Sequence, residues 1–260
     1  MDKQLISNLV ANKEEAIKLK KAAIKQCDTI VVEETTSKAF SYANSDNLES
    51  GIITRKIVAN TYNYLDSHGD VHIKGIFTKS IQENKQMHLH DHIYQLCAKV
   101  GTIQSVDEVL ISWRELGVEK EGKTIALIVS TDIKRSYNEP IYLQYLGNEI
   151  NQHSVGMQYV KIELCINDEQ YEQEYAMWNK YFSNIANGDE AIKQGYFWAV
   201  TEAKLIEVSC VIAGSNPITP TLQPKKTKEE PIMEPSKDTQ EQSLEIDYKY
   251  LIKEFNLKNK

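Results

Sequence analysis

Two sets of residues in this sequence have types and spacing that could do chemistry. The first is histidine: five of the six fall in two short groups, His68 with His72, and His88, His90 and His92, while the sixth, His153, precedes Ser154. Alternating histidines on a strand turn three imidazoles to one side, and such a face could bind a transition metal. No Asp or Glu joins them at a recognisable metal-site spacing, so the plainer alternative is one functional histidine among partly exposed polar ones. The second is Ser154, in the segment Gln152-His153-Ser154-Val155-Gly156-Met157. A nucleophilic serine needs an adjacent base and room for the backbone of a substrate, and Gly156 would provide that room. A strand serine is more often structural than catalytic, and the G-x-S-x-G elbow of the α/β-hydrolases is absent.

A carboxylate joins this set through strand periodicity. In Ala203–Ile212, Ile206, Val208, Cys210 and Ile212 point one way and Leu205, Glu207, Ser209 and Val211 the other. Glu207 thereby stands mid-strand on the face opposite the apolar set. The plainer alternative is an exposed strand carboxylate or a partner for a lysine.

The elements that must position these residues can be read from pattern. Residues 3–26 form an amphipathic helix with Leu5, Ile6, Leu9, Val10, Ile17, Ala23 and Ile24 at helical spacing, and six lysines on it make a basic segment in an acidic chain. It is either a solvated helix packed on the body by its apolar edge or an arm that docks on a partner. Thr29–Val32 reads as a short strand before the polar loop 41–47. Strands are expected over Ile52–Tyr64, Met87–Ile93, Val109–Trp113, Thr124–Thr131 and His153–Ile166, with turn chemistry at Asp66-Ser67-His68-Gly69-Asp70. The apolar run Ile125–Val129 suits a strand buried on both faces. Helices are expected at Phe77–Asn84, at 140–146 between Pro140 and the stop at Gly147, and at 169–186, where Tyr171, Tyr175, Trp178 and Phe182 read as core.

Composition bounds the function. The chain has 260 residues, 41% hydrophobic and 26% charged, with a net charge of −7. It can bury a real core, and its acidity argues against non-specific nucleic-acid binding. No run approaches the roughly 20 apolar residues of a membrane helix, and the N-terminus lacks a signal-peptide pattern, so a cytosolic protein without membrane contact is expected. Cys27, Cys97, Cys165 and Cys210 form no C-x-x-C pair and read as small buried hydrophobes rather than a zinc or disulfide framework. Five of six prolines lie in 217–235, where Pro, Lys, Glu, Thr and Gln dominate. The expected organisation is a helical arm and lead-in strand over 1–50, a body over 51–216, and a disordered tail over 217–260 ending in a short potential helix at 244–255.

Four blocks, in order, resemble the tailed-phage prohead (capsid maturation) proteases, whose fold is similar to that of the herpesvirus assemblins. Asp70-Val71-His72-Ile73-Lys74-Gly75-Ile76-Phe77 is similar to the family's D-V-x-x-x-G-x-F entry segment, and Asn60–Asp66 resembles its first strand. His88-Leu89-His90-Asp91-His92, followed by Val100-Gly101, is similar to its histidine block. His153-Ser154-Val155-Gly156-Met157 is similar to its S-x-G-F/M serine block, and Glu207-Val208-Ser209-Cys210-Val211 with Asn216-Pro217 to its E-V-S-x-V … N-P end. The likeness covers roughly 52–220. It implies a serine endopeptidase with Ser154 as nucleophile, His92 as base with His90 as the alternative, and Glu207 as the orienting acid. The gap from His92 to Val100-Gly101 is longer than the family's usual one. The implied fold is α+β, a curved antiparallel sheet or small β-barrel surrounded by helices, herpesvirus-protease-like. No cofactor or metal is implied. Major capsid protein and scaffold segments would be the substrates, together with the chain itself, inside an assembling procapsid in the host cytoplasm. The rival readings are a non-catalytic capsid assembly or scaffolding module and a metal-dependent enzyme using His88, His90 and His92.

Overall fold

The computed structural model describes residues 3–25, 46–83 and 86–222. The expected strand at 29–32 and the tail helix at 244–255 lie outside them. In chain order the elements are α1 (Lys3–Ala11), α2 (Lys13–Ala22), β1 (Ile24–Lys25), β2 (Asp46–Asn47), β3 (Ile52–Thr61), β4 (Asp70–His72), α3 (Thr78–Glu83), β5 (Met87–His90), β6 (Lys99–Ser112), β7 (Lys123–Lys134), α4 (Glu139–Leu146), β8 (His153–Ile166), α5 (Glu172–Tyr181), α6 (Gly188–Gln194), β9 (Tyr196–Cys210) and β10 (Thr221–Leu222). The chain is α+β.

The strands form one sheet in the order β1-β8-β9-β5-β6-β7-β3-β10, with β2 added to β3 and β4 to β9. The sheet is mixed, which corrects the expectation of an antiparallel one. β4 and β5 both run parallel to β9, one beside Trp198–Val200 and the other beside Glu207–Cys210. A 15-residue strand can thus take two short partners end to end along one edge, and side-chain alternation carries no information about strand direction. The hydrogen-bonded path has two ends, β1 and β10, and is not a closed barrel. It is nevertheless strongly curled, because β3 packs against β8 although four strands separate them in the ladder.

The concave side holds the main core. Ile53, Ile57 and Ala59 of β3 meet Leu127, Val129 and Ile133 of β7, Val155, Met157 and Tyr159 of β8, and Leu205, Val208 and Cys210 of β9. The apolar run in β7 is buried on both faces as its composition requires: Leu127 and Val129 enter this core, while Ala126 and Ile128 join a second cluster with Val58, Trp113 and Ile218. Trp178 anchors a third cluster, stacked on Phe182 at 4.8 Å between ring centroids.

Local sequence explains the elements nearest the serine strand. Asn138 caps α4 by accepting from the Ile141 N–H at 3.2 Å, Pro140 sits in the first turn where its missing N–H costs nothing, and Gly147 ends the helix. The N-terminal segment is two helices broken at Asn12, whose side chain donates to the Asn8 carbonyl at 2.9 Å, and its last residues add the edge strand β1 to β8. This arm lies on the body: Ile6 is buried in the main core, Lys13 pairs with Glu174 at 2.7 Å, and Lys20 pairs with the buried Asp70. The ordered body also runs beyond the expected boundary at 216. Ile218, Thr219, Thr221 and Leu222 are buried and β10 pairs with β3, so the proline-rich composition conceals a strand. Among the described residues no helix is long and apolar enough to cross a membrane.

Candidate active site

Register places the serine and the carboxylate together. Ser154 on β8 stands opposite Ser209 on β9, and Gly156 opposite Glu207. Directly paired residues project to the same face of a sheet, so Ser154, Ser209 and Glu207 share the face turned away from Val155, Val208 and Cys210, which enter the core. The register then slips, with Met157 opposite Leu205, which leaves Ile206 as a bulge. This corrects the expected grouping of Leu205 with Glu207, because the extra residue inverts the alternation and sends Leu205 into the core.

His92 reaches this face from a turn rather than from a strand. β5 ends at His90, and Asp91 and His92 take left-handed conformations with φ of 50° and 55°. Asp, Asn and His tolerate that region better than other side chains. The Asp91 N–H donates to the Cys210 carbonyl at 3.0 Å and fixes the turn over the end of β9. The His92 N–H donates to Ser209 Oγ at 3.2 Å, and the imidazole Nδ1 lies 2.5 Å from Glu207 Oε1. Ser209 Oγ in turn donates to Glu207 Oε2 at 2.6 Å. Both carboxylate oxygens thus have a partner, although Glu207 is fully buried.

The remaining ring nitrogen is left open. His92 Nε2 is buried and makes no hydrogen bond. With Nδ1–H donated to a carboxylate, the neutral form of the ring has its lone pair on Nε2, which is the tautomer a general base requires. Ser154, 7% exposed, shares the face with this pair and is not hydrogen-bonded to Nε2; such contacts are often open in unliganded sites and close with substrate.

Gly156 has a different use from the expected one. A Cβ at this position would lie 2.1 Å from Glu207 Oε1 and 2.9 Å from the Tyr94 hydroxyl oxygen. The room it leaves is occupied by the carboxylate and the tyrosine, not by a substrate backbone.

The other histidines disperse. His88 is fully buried, with Nδ1 3.0 Å from Thr131 Oγ1 and Nε2 3.2 Å from the Tyr145 hydroxyl. His90 Nδ1 pairs with Asp91 Oδ2 at 3.1 Å near the surface, away from Glu207. His153 points into the core and bonds Thr219 and Tyr145. Among the described residues no group of three or more His, Cys, Asp or Glu side chains is placed to hold a metal ion. The expected three-imidazole face fails because the strand stops at His90 and the chain reverses. The thiols of Cys165 and Cys210 are pushed up to about 12, mainly by burial, and are inert hydrophobes, whereas Cys97 is exposed.

Ser209 and Tyr94 were not legible as site residues. Ser209 had two signals, its place in the E-V-S-x-V block and its spacing of two from Glu207 on a strand, which puts it on the same face; Tyr94 had none, since it arrives through the turn. Protein-family models, curated proteins and solved structures contain no match to this chain.

Proposed function

We propose that this chain is a serine endopeptidase of the prohead maturation type, with Ser154 as nucleophile, His92 as base and Glu207 as the orienting acid. One observation carries the proposal: a buried His92–Glu207 pair with its free Nε2 on the same sheet face as Ser154. Three of the four sequence blocks that resemble that family supply these residues, and the curled sheet flanked by helices is compatible with a herpesvirus-protease-like fold. His92 is preferred over His90 as base because only His92 meets Glu207.

In the reaction, His92 Nε2 removes the Ser154 hydroxyl proton as Oγ attacks the scissile carbonyl. The imidazolium returns that proton to the leaving amine, and the acyl-enzyme remains. Water then attacks the ester with His92 again as base, releasing the carboxylate product and restoring Ser154. Glu207 holds the ring in the required tautomer and stabilises its charged form without itself becoming protonated. Backbone N–H groups at the oxyanion complete the chemistry. The substrates are capsid-protein and scaffold segments, and the chain's own tail, inside an assembling procapsid in the host cytoplasm.

The test is co-expression with the cognate capsid protein. Processing by the wild-type chain that disappears in Ser154→Ala and His92→Ala, and persists in His90→Ala, is the expected result. Normal processing in both of the first two variants favours the non-catalytic assembly module, the reading consistent with the open Ser154–His92 contact.

A further inference from the structure

The proposed mechanism leaves three buried histidines without a task, His72, His88 and His153, and two of them share one partner. His88 and His153 are each fully buried, and both reach the hydroxyl of Tyr145, at 3.2 and 2.9 Å from their Nε2 atoms. A hydroxyl has one proton, so it cannot donate to both rings. The outer contacts decide the direction.

His153 Nδ1 lies 2.8 Å from the Thr219 carbonyl oxygen. A carbonyl only accepts, so Nδ1 carries the proton and Nε2 is bare. The bare Nε2 needs a donor, and Tyr145 supplies it. The tyrosine oxygen then accepts from His88, whose Nε2 carries its proton, and His88 Nδ1 is bare. That nitrogen takes the single proton of Thr131 Oγ1, which lies 3.0 Å away against 3.5 Å from the same oxygen to the Thr102 carbonyl. Every hydrogen runs the same way, from Thr131 through His88, Tyr145 and His153 to Thr219. Burial pushes His88 down to about 3 and His153 to about 4, so both rings are neutral and each has one proton to place.

The chain of bonds links distant parts of the fold. Thr131 is on β7, His88 on β5, Tyr145 on α4 and His153 on β8, and Thr219 lies in the segment leading to β10. The backbone N–H of His153 also donates to Thr219 Oγ1 at 3.1 Å. Two bonds therefore tie residue 153 to the closing segment, and the ring of residue 153 is tied to α4 from the opposite side. The next residue is Ser154.

We infer that these five residues form a proton-ordered chain, in which Tyr145 is the positioning residue that fixes the start of β8 and with it the Ser154 side chain relative to His92. The positioning role rests on the serine-peptidase reading; the proton order does not. Tyr145 touches no reacting atom. Its contribution is to hold the nucleophile in line, the kind of placement where a shift of about 1 Å costs on the order of a hundredfold in rate.

The full chain carrying ¹⁵N-labelled histidine tests the proton order by NMR. His88 is expected as the Nε2–H tautomer and His153 as the Nδ1–H tautomer, unchanged from pH 5 to pH 8. The same tautomer at both positions, or titration of either within that range, overturns the inference. The positioning role is tested with Tyr145→Phe, which is expected to lower kcat by about 10–100-fold with KM little changed. Wild-type kcat in a folded Tyr145→Phe protein overturns it. Thr131→Val covers the case in which Tyr145→Phe does not fold: it removes only the terminal donor, and is expected to move the His88 ring signals while those of His153 stay in place. Movement of both, or of neither, overturns the chain. If the tautomers are as assigned but no Ser154-dependent cleavage exists, the peptidase reading and the positioning role fall together and the proton order stands.

Discussion

Ser209 Oγ donates to Glu207 Oε2 at 2.6 Å while the His92 N–H donates to the same Oγ at 3.2 Å, so one hydroxyl holds both the carboxylate and the turn that carries His92. Ser209 is fully buried, and no solvent can replace it. Ser209→Ala leaves a buried carboxylate oxygen without its donor, which should cost about 1–3 kcal/mol of stability in urea unfolding. It should also lower kcat, with both effects largely restored by Ser209→Thr. A Ser209→Ala protein with wild-type stability and rate would contradict this arrangement.

Gly156→Ala places a methyl where Glu207 Oε1 now lies, at 2.1 Å. The carboxylate is held by two hydrogen bonds and cannot yield without breaking one. Overpacking should cost about 1–3 kcal/mol, and displacement of Glu207 should reduce peptidase activity by about a hundredfold. Calorimetry and a cleavage assay on the same preparation check both. Retention of full activity would mean that Glu207 does not orient His92.

Asp66 is held well above the usual carboxylate range, at about 8, chiefly by burial and then by the nearby Asp70, against the opposing pull of the N–H groups of Asp70 and His68 and the charge of Lys20. Its folded value exceeds its unfolded one, so its contribution is complete below about pH 4 and is lost as pH rises through 8. Asp66 Oδ1 accepts from the N–H groups of His68 and Asp70, both at 2.9 Å, and an asparagine can keep both. Asp66→Asn should match the wild type at pH 4 and be the more stable protein at pH 7.5, by about 1.4 kcal/mol for each pH unit over which the folded carboxyl keeps its proton and the unfolded one does not. Parallel denaturation curves at the two pH values decide it.

His88 and His153 titrate in the opposite sense. Burial depresses both, to about 3 and about 4, with His153 adding to the shift of His88 and the Thr219 carbonyl opposing that of His153. The groups facing them, Thr131, Tyr145, Thr219 and the Cys210 thiol, which burial pushes up to about 12, bear no charge, and Cys210 and then Arg55 act on Tyr145 from nearby. The unfolded chain takes up protons near pH 6.5 that the folded one refuses, so stability falls as pH drops from 6.5 towards 4. The slope is about 1.4 kcal/mol per pH unit for each histidine. Unfolding followed at pH 7, 6 and 5 should show an uptake approaching two protons from this pair. A flat profile would contradict their neutral state.

Much of the frame was legible because it is fixed locally. β8 runs over the expected His153–Ile166, and α4 starts and stops where Pro140 and Gly147 direct it. The candidate site was partly legible: Ser154, His92 and Glu207 could be named through their block pattern, and strand register together with the Asp91–His92 turn brings them to one face. What escaped depends on tertiary geometry. Alternation across 203–212 cannot reveal the bulge at Ile206, and the histidine triplet looks like a strand until the left-handed pair Asp91–His92 reverses it. Composition misplaced the end of the body, since a run rich in prolines can still supply one short edge strand.

The closing segment sets where this chain can be trimmed. Thr219 holds residue 153 by both its hydroxyl and its carbonyl, the Pro217 carbonyl accepts from Gln152, and Thr221 and Leu222 extend the sheet beside β3. A cut after Asn216 would detach the far anchor of the serine strand together with a sheet edge. A cut after Leu222 would leave both in place. A cut that keeps these anchors therefore falls downstream of Leu222, and Asn216-Pro217 is a seam inside the folded body rather than its outer limit.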